Sequence, residues 1–153
     1  MEISRENHHA LLKEVCNGDE NALEYLEEIS KIFKIWDDLY DQDTPVSKEE
    51  INDSFSNLAF NFGRNPFFKA NREILESFVF LAWNSWMDSN EWKGSEDQLK
   101  GMCAWFIRDL CNDVDILVAW LVGGVEHARK MSLKCREFYL KQLRSRGLDG
   151  FIK

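Results

Sequence analysis

Two prolines and eight glycines are all that interrupt a chain of 153 residues. Because proline and glycine are the strongest local breakers of regular structure, their scarcity favours a few long elements over many short strands. Between the breaks, apolar side chains recur every three or four positions, which is the spacing of one helix face. The pattern predicts an all-α helical bundle of five to six helices, forming a single domain over residues 1–153.

Capping signals predict where the helices begin and end. A helix over about 19–43 follows an Asn-Gly-Asp break, and Ser47 to Glu50 form a capping box that opens a short helix to about residue 62. That short helix is expected to bury Ile51, Phe55, Leu58 and Phe62.

Two further helices are apolar over most of their circumference. One starts at Asn65-Pro66 and runs to about residue 89, and the other starts at a capping box over 95–98 and ends at Gly123-Gly124. Such helices are expected to form the central pair of the bundle. A short helix over 5–16 and a last amphipathic helix pack around them.

Charge and apolar runs exclude several classes of protein. The net charge is −8, although the segment from Glu126 onward has eight Lys/Arg against three Asp/Glu. Such acidity argues against a nucleic-acid binder, which needs a basic surface. There is no apolar run after Met1 and none long enough to span a membrane, so we expect a cytoplasmic protein. The four cysteines lack C-x-x-C spacing, which predicts reduced core thiols and no zinc site.

An acidic cluster formed by Asp37, Asp38 and Asp41 lies near the end of the helix predicted over 19–43. Asp37 and Asp41 stand one turn apart at the edge of the apolar stripe, whereas Asp38 points further toward solvent. Negative charge at the C-terminal end of a helix opposes the helix dipole, so a cation is expected among these carboxylates. The alternative is an acidic turn exposed to water.

A second acidic pair, Asp109 and Asp113, interrupts the apolar stripe of the helix predicted over 96–122. Burying an unpaired carboxylate is expensive, so this pair requires a cation, a base or a wet cavity. The alternative is an internal salt bridge to Arg72, Arg129 or Arg136.

Facing carboxylate pairs on two helices favour Mg²⁺, which takes hard oxygen ligands and commonly bridges to phosphates. The predicted metal ligands are Asp37, Asp41, Asp109 and Asp113. Further contacts to the metal or to a phosphate are expected from Asp38, Asn112 and Arg108.

The run from Asp37 to Asp41 resembles the D-D-x-x-D motif of class I isoprenoid (trans-prenyl diphosphate) synthases. The resemblance implies an isoprenoid-synthase-like fold in which Asp37, Asp41 and Asp113 bind Mg²⁺ that holds an allylic diphosphate. It also implies an apolar pocket, whose candidate residues are Phe78, Trp83, Trp105 and Trp120. The wider pattern is also similar to small phage-encoded helical proteins, which would place the chain in the cytoplasm of the host cell.

Three functions remain open at this point. The first is Mg²⁺-dependent binding or turnover of a diphosphate-bearing small molecule. The second is a non-catalytic protein-interaction module, such as a phage factor acting on a host protein. The third is an all-α nucleoside-triphosphate pyrophosphatase, whose E-x-x-E form Glu24 and Glu27 match, although the helix wheel places both on the polar face of their helix. No catalytic residue is assigned, and a homodimer is one way to complete an unfinished pocket.

Overall fold

The structure is a computed structural model and describes residues 5–145. Within that range it contains six α-helices and no strand, which confirms the all-α prediction: α1 (Arg5–Val15), α2 (Glu20–Asp41), α3 (Lys48–Ser56), α4 (Pro66–Trp92), α5 (Gln98–Asp109) and α6 (Val114–Ser145). A π-helical turn (Asn57–Asn61) and a 3-10 turn (Phe62–Arg64) follow α3, and another 3-10 turn (Leu110–Asp113) joins α5 to α6. Both ends of the chain, 1–4 and the last eight residues of the basic segment, lie outside the described residues.

Side-chain caps begin four of the helices. The predicted capping box of α3 is present, with Ser47 and Glu50 bonded reciprocally, and Asn65 caps α4 by accepting from the backbone N–H of Phe68 at 3.0 Å. The predicted cap of α5 was wrong by two residues. Asp97, rather than Ser95, accepts the backbone N–H groups of that helix, and its charge favours the N-terminal end of the helix dipole.

The hydrophobic core lies among α1, α2, α4 and α6. Its fully buried side chains include Leu12, Leu26, Leu75, Val118 and Met131, which come from these four helices. The prediction that the helix over 96–122 belongs to a central pair was wrong for its first half. α5 packs mainly against α4, and among its described residues only Ala104 is buried.

The burial of side chains in α3 and in the turn after it also differs from the prediction. Phe55 and Leu58 are 67% and 48% exposed, whereas Ser54 is buried. The side-chain amide of Asn57, three residues after Ser54, donates to the carboxylate of Glu28 on α2. The π-helical turn then adds a residue to the following turn and changes which side chains share a face.

The helix predicted over 96–122 is divided by the 3-10 turn Leu110–Asp113, and its predicted stop at Gly124 is instead a kink within α6. Gly124 has φ +74° and ψ −171°, a conformation that is essentially restricted to glycine. Beyond the kink, the His127 ring lies 2.9 Å from the carbonyl oxygen of Val15, which joins α6 to the end of α1.

Two of the four cysteines lie in the hydrophobic core. Cys16 and Cys135 are buried, and burial is the main reason that the pKa of each thiol rises to about 12. All four cysteines are unpaired thiols.

Among residues 5–145, no helix is both long enough and apolar enough to cross a membrane.

Two glycine-to-alanine substitutions should have opposite effects on the stability of the protein. Gly124→Ala should destabilise the protein by about 1–3 kcal/mol, because alanine is strained at this φ and ψ. Gly101→Ala, within α5, should instead stabilise it by about 0.5–1 kcal/mol, because an added Cβ meets no atom within 4 Å and alanine favours a helix. Urea unfolding of both variants measures these effects, and a harmless Gly124→Ala would contradict the argument.

Candidate functional site

A cavity of about 300 Å³ lies between α2, α4, α5 and α6, with α1 at one side. We call it the pocket. Its aromatic lining consists of Phe33, Trp36, Trp83, Trp86, Trp105 and Tyr139. Its charged lining consists of Lys34, Asp37, Arg108, Asp109 and Asp115. The remaining lining residues are His8, Ser30, Cys111, Asn112 and Val114. An apolar cavity with a few polar groups is the usual form of a small-molecule site.

The guanidinium of Arg108 takes the position among the α2 carboxylates where the sequence predicts a cation. Its Nη2 is paired with Asp37 and lies 3.6 Å from Oδ2 of Asp41. Its Nη1 donates to Oδ1 of Asn90 at 2.6 Å, and the guanidinium carbon lies 5.6 Å from the centre of the Trp86 ring. Arg108 therefore links α5 to both α2 and α4 by hydrogen bonds, ion pairs and a cation–π contact.

Each carboxylate of the α2 cluster has a positively charged partner. Besides Arg108, Lys93 lies 3.2 Å from Asp41, and Lys34 pairs with Asp38 one turn away on α2. Asp37 also accepts the indole N–H of Trp86 at 2.9 Å. Of the three carboxylates, only that of Asp37 lines the pocket.

The 3-10 turn decides which aspartate of the second motif faces the pocket. Along a continuous α-helix, which turns about 100° per residue, Asp109 and Asp113 would lie about 40° apart. Through a 3-10 turn, at about 120° per residue, the separation grows to about 120°, and Asp115 comes within about 40° of Asp109. In agreement, Asp109 and Asp115 line the pocket and Asp113 does not.

Asp113 and Asp109 have different partners. Asp113 pairs with Arg136 at 3.0 Å, one of the three arginines that the salt-bridge alternative names. Burial raises the pKa of Asp113, and the charge of Arg136 opposes that rise. Asp109 accepts a hydrogen bond from the side-chain amide of Asn112 at 2.8 Å, and no ion pair joins it to another described residue.

Asp115 is the most buried charged group of the chain's described part, with 1% of its surface exposed. The hydroxyl of Tyr139 donates to its carboxylate at 2.7 Å, and Nε2 of His8 lies 3.2 Å from that hydroxyl. Burial raises the pKa of Asp115 to about 7, and the hydrogen bond from Tyr139 opposes this rise. Burial likewise lowers the pKa of His8, which favours the neutral imidazole.

Asp115 is a pocket residue that the sequence motifs do not include. Its signal is a lone aspartate in the apolar run from Val114 to Trp120, but the helix register that turns it inward depends on the 3-10 turn.

The predicted aromatic residues divide into two groups. Trp83 and Trp105 line the pocket. Phe78 packs instead against the hydrophobic core, and Trp120 is 43% exposed on α6. Trp36 and Trp86 complete the walls and contact each other, with ring centres 6.3 Å apart. The helix wheel predicts Trp36 on the apolar stripe of α2, but the structure leaves it 45% exposed, where it borders the pocket.

The four predicted metal ligands are not gathered around one point. Arg108 pairs with Asp37 and lies near Asp41, and Arg136 pairs with Asp113, whereas Asp109 has no ion pair among the described residues. Among residues 5–145, no group of three or more His, Cys, Asp or Glu side chains is arranged to hold a metal ion. As arranged here, these residues do not fit Mg²⁺. Of the pyrophosphatase pair, Glu24 accepts from Asn65 and Glu27 pairs with His9, and neither lines the pocket.

Comparison with protein-family models, with curated proteins and with solved structures finds no match for this chain.

The burial of Asp115 predicts a specific pH dependence of stability. A carboxyl whose pKa is raised by folding binds its proton more tightly in the folded state, so its contribution is full below about pH 4 and is lost as the pH rises through about 7. Asp115→Asn stays uncharged and still accepts from Tyr139, so between these pH values it should gain up to about 4 kcal/mol relative to the wild type.

Urea unfolding at about pH 4 and about pH 8 measures this gain. Asp88→Asn, on the exposed side of α4, is the control and should leave the difference between the two pH values unchanged. An equal pH dependence of Asp115→Asn and the wild type would show that Asp115 is not buried as a carboxylate.

Proposed function

We propose that the protein binds a small molecule in the pocket. The supporting observation is a cavity of about 300 Å³ whose walls combine four indole rings with five charged side chains. Ligand sites in proteins begin at about this volume and have the same combination of apolar walls and a few converging polar groups. The volume favours a small ligand, of the size of a single aromatic ring with a short substituent.

The cost of the pocket to folding supports a functional role. The aromatic walls of the pocket are apolar surface that folding leaves in contact with water instead of burying. A carboxylate as buried as Asp115 adds a further penalty, since it gains only a neutral phenol as a partner. Departures from good packing and polar satisfaction are concentrated at functional sites in natural proteins.

Blocking the pocket should abolish binding without unfolding the protein. Ser30 lines the pocket from α2, so Ser30→Phe places a ring in it. Ser77→Phe is the matched control, since Ser77 is exposed on α4. A ligand at about 100 times its dissociation constant adds roughly 2.7 kcal/mol, which raises the melting temperature by several degrees in a domain of this size.

The ligand panel contains aromatic amines, aromatic acids, nucleotides, pyrophosphate and isoprenyl diphosphates, each with and without Mg²⁺. We expect at least one member to raise the melting temperature of the wild type and of Ser77→Phe, but not that of Ser30→Phe. If no member raises it, or if Ser30→Phe responds like the wild type, small-molecule binding in the pocket is wrong.

A diphosphate carried by Mg²⁺, as in isoprenoid synthases, is the second candidate function. The observation in its favour is that residues of both acidic motifs, Asp37, Asp109 and Asn112, line the same pocket. Asp37 uses Oδ1 for both Arg108 and Trp86, so its Oδ2 is the oxygen that would bind a metal. A metal-dependent rise in melting temperature with a diphosphate, absent in Asp37→Asn, would support this candidate.

A protein-interaction role is favoured by a different surface. Leu99, Met102 and Phe106 form a stripe along α5, and their exposed fractions run from 50% to 72%. Contiguous exposed apolar side chains commonly mark interaction sites.

Sedimentation equilibrium of the wild type and of Phe106→Ser tests this surface with the simplest partner, a second copy of the chain. An interaction role predicts a mass that rises with concentration in the wild type and not in Phe106→Ser. Because Phe106 is 72% exposed, the substitution should change the free energy of unfolding by less than about 0.5 kcal/mol. A wild type that is monomeric at every concentration would count against the second copy.

A further inference from the structure

We propose that the ligand of the pocket is an organic cation, an amine on an aromatic or apolar body, held by Asp109 and Asp115 against the tryptophan rings. This inference rests on the proposed small-molecule function and names the ligand class. It follows from the balance of charge around the pocket, from the chemistry of its walls and from the hydrogen bonds that its own cations already make.

The cations of the pocket are already matched by carboxylates. Arg108 is paired with Asp37 and lies within 4 Å of Asp41, and Lys34 is paired with Asp38. Of the N–H groups of Arg108, Nη2 bonds Asp37 and Nη1 bonds Asn90. An anionic ligand at Arg108 would therefore compete with two carboxylates of the protein for the same positive charge.

Two carboxyl groups of the pocket have no such counter-charge. Asp109 is bonded to the neutral amide of Asn112, and Asp115 is bonded to the neutral hydroxyl of Tyr139. Neither has a cationic side chain of the described residues within ion-pair distance. A bound ammonium group would supply both the missing positive charge and N–H donors for the carboxylate oxygens.

The walls favour the same class of ligand. The face of an indole ring attracts cations, and the pocket contains four such rings. The contact of Arg108 with Trp86 shows that one of these rings already accepts a cation. Trp83 adds an indole ring to the wall, and its buried N–H has no acceptor among the described residues.

Three small molecules that share a phenyl ring and differ in charge provide the test: 2-phenylethylamine, 2-phenylethanol and phenylacetate. Isothermal titration calorimetry on the whole chain should show that the amine binds at least tenfold more tightly than the alcohol or the acid. Asp109→Asn should weaken binding of the amine by about 10- to 100-fold, because a hydrogen bond to a charged group becomes a neutral one.

Asp113→Asn is the matched control. Asp113 lies four residues further along the chain, outside the pocket and paired with Arg136, so this variant should bind the amine within about twofold of the wild type. Both variants exchange one carboxylate for an amide, so a general effect of net charge would change them equally.

The outcomes separate the ligand class from the proposed function. Binding of the alcohol or the acid as tightly as the amine, or an amine that is insensitive to Asp109→Asn, overturns the cation inference and leaves small-molecule binding in place. The cation inference is also overturned, and small-molecule binding stays in place, if none of the three compounds binds while Ser30→Phe abolishes the binding of another ligand. If no compound binds at all, both the ligand class and the proposed function are wrong.

Discussion

The ion pair between Arg108 and Asp37 is the contact on which the arrangement around the pocket depends. A guanidinium with 19% of its side-chain surface exposed joins three helices, because it reaches carboxylates on α2 and an amide and an indole ring on α4. α5 contributes little to the hydrophobic core, so this polar contact and the packing against α4 hold it in place. A half-buried ion pair of this kind contributes less to net stability than to the choice of one arrangement over others.

The 3-10 turn between α5 and α6 determines which aspartates face the pocket. Four residues wound more tightly than an α-helix are enough to turn Asp113 away and to bring Asp115 inward. One short change in helix geometry therefore determines which aspartates line the pocket.

The pocket differs from the core in how its polar groups are satisfied. In the core, side chains such as Leu75 and Met131 are buried without polar partners to satisfy. Around the pocket, cations and carboxylates are paired on the α2 side, whereas Asp109 and Asp115 are bonded only to neutral groups on the α6 side. This asymmetry gives the pocket its chemical character, and it is the basis for proposing a cationic ligand.

Much of the fold follows from local patterns along the chain. The apolar spacing of α2, the capping box of α3 and the Asn65-Pro66 start of α4 were all predictable, because caps and helix periodicity depend on residues a few positions apart. The need for a cation among Asp37 and its neighbours was predictable too, since close carboxylates repel. That this cation is Arg108, and that Asp115 replaces Asp113 in the pocket, could not be predicted. The position of Arg108 depends on contacts between helices that are far apart in sequence. The position of Asp115 depends on a 3-10 turn whose residues have no distinctive local pattern. Helix packing therefore determines both, and helix periodicity does not.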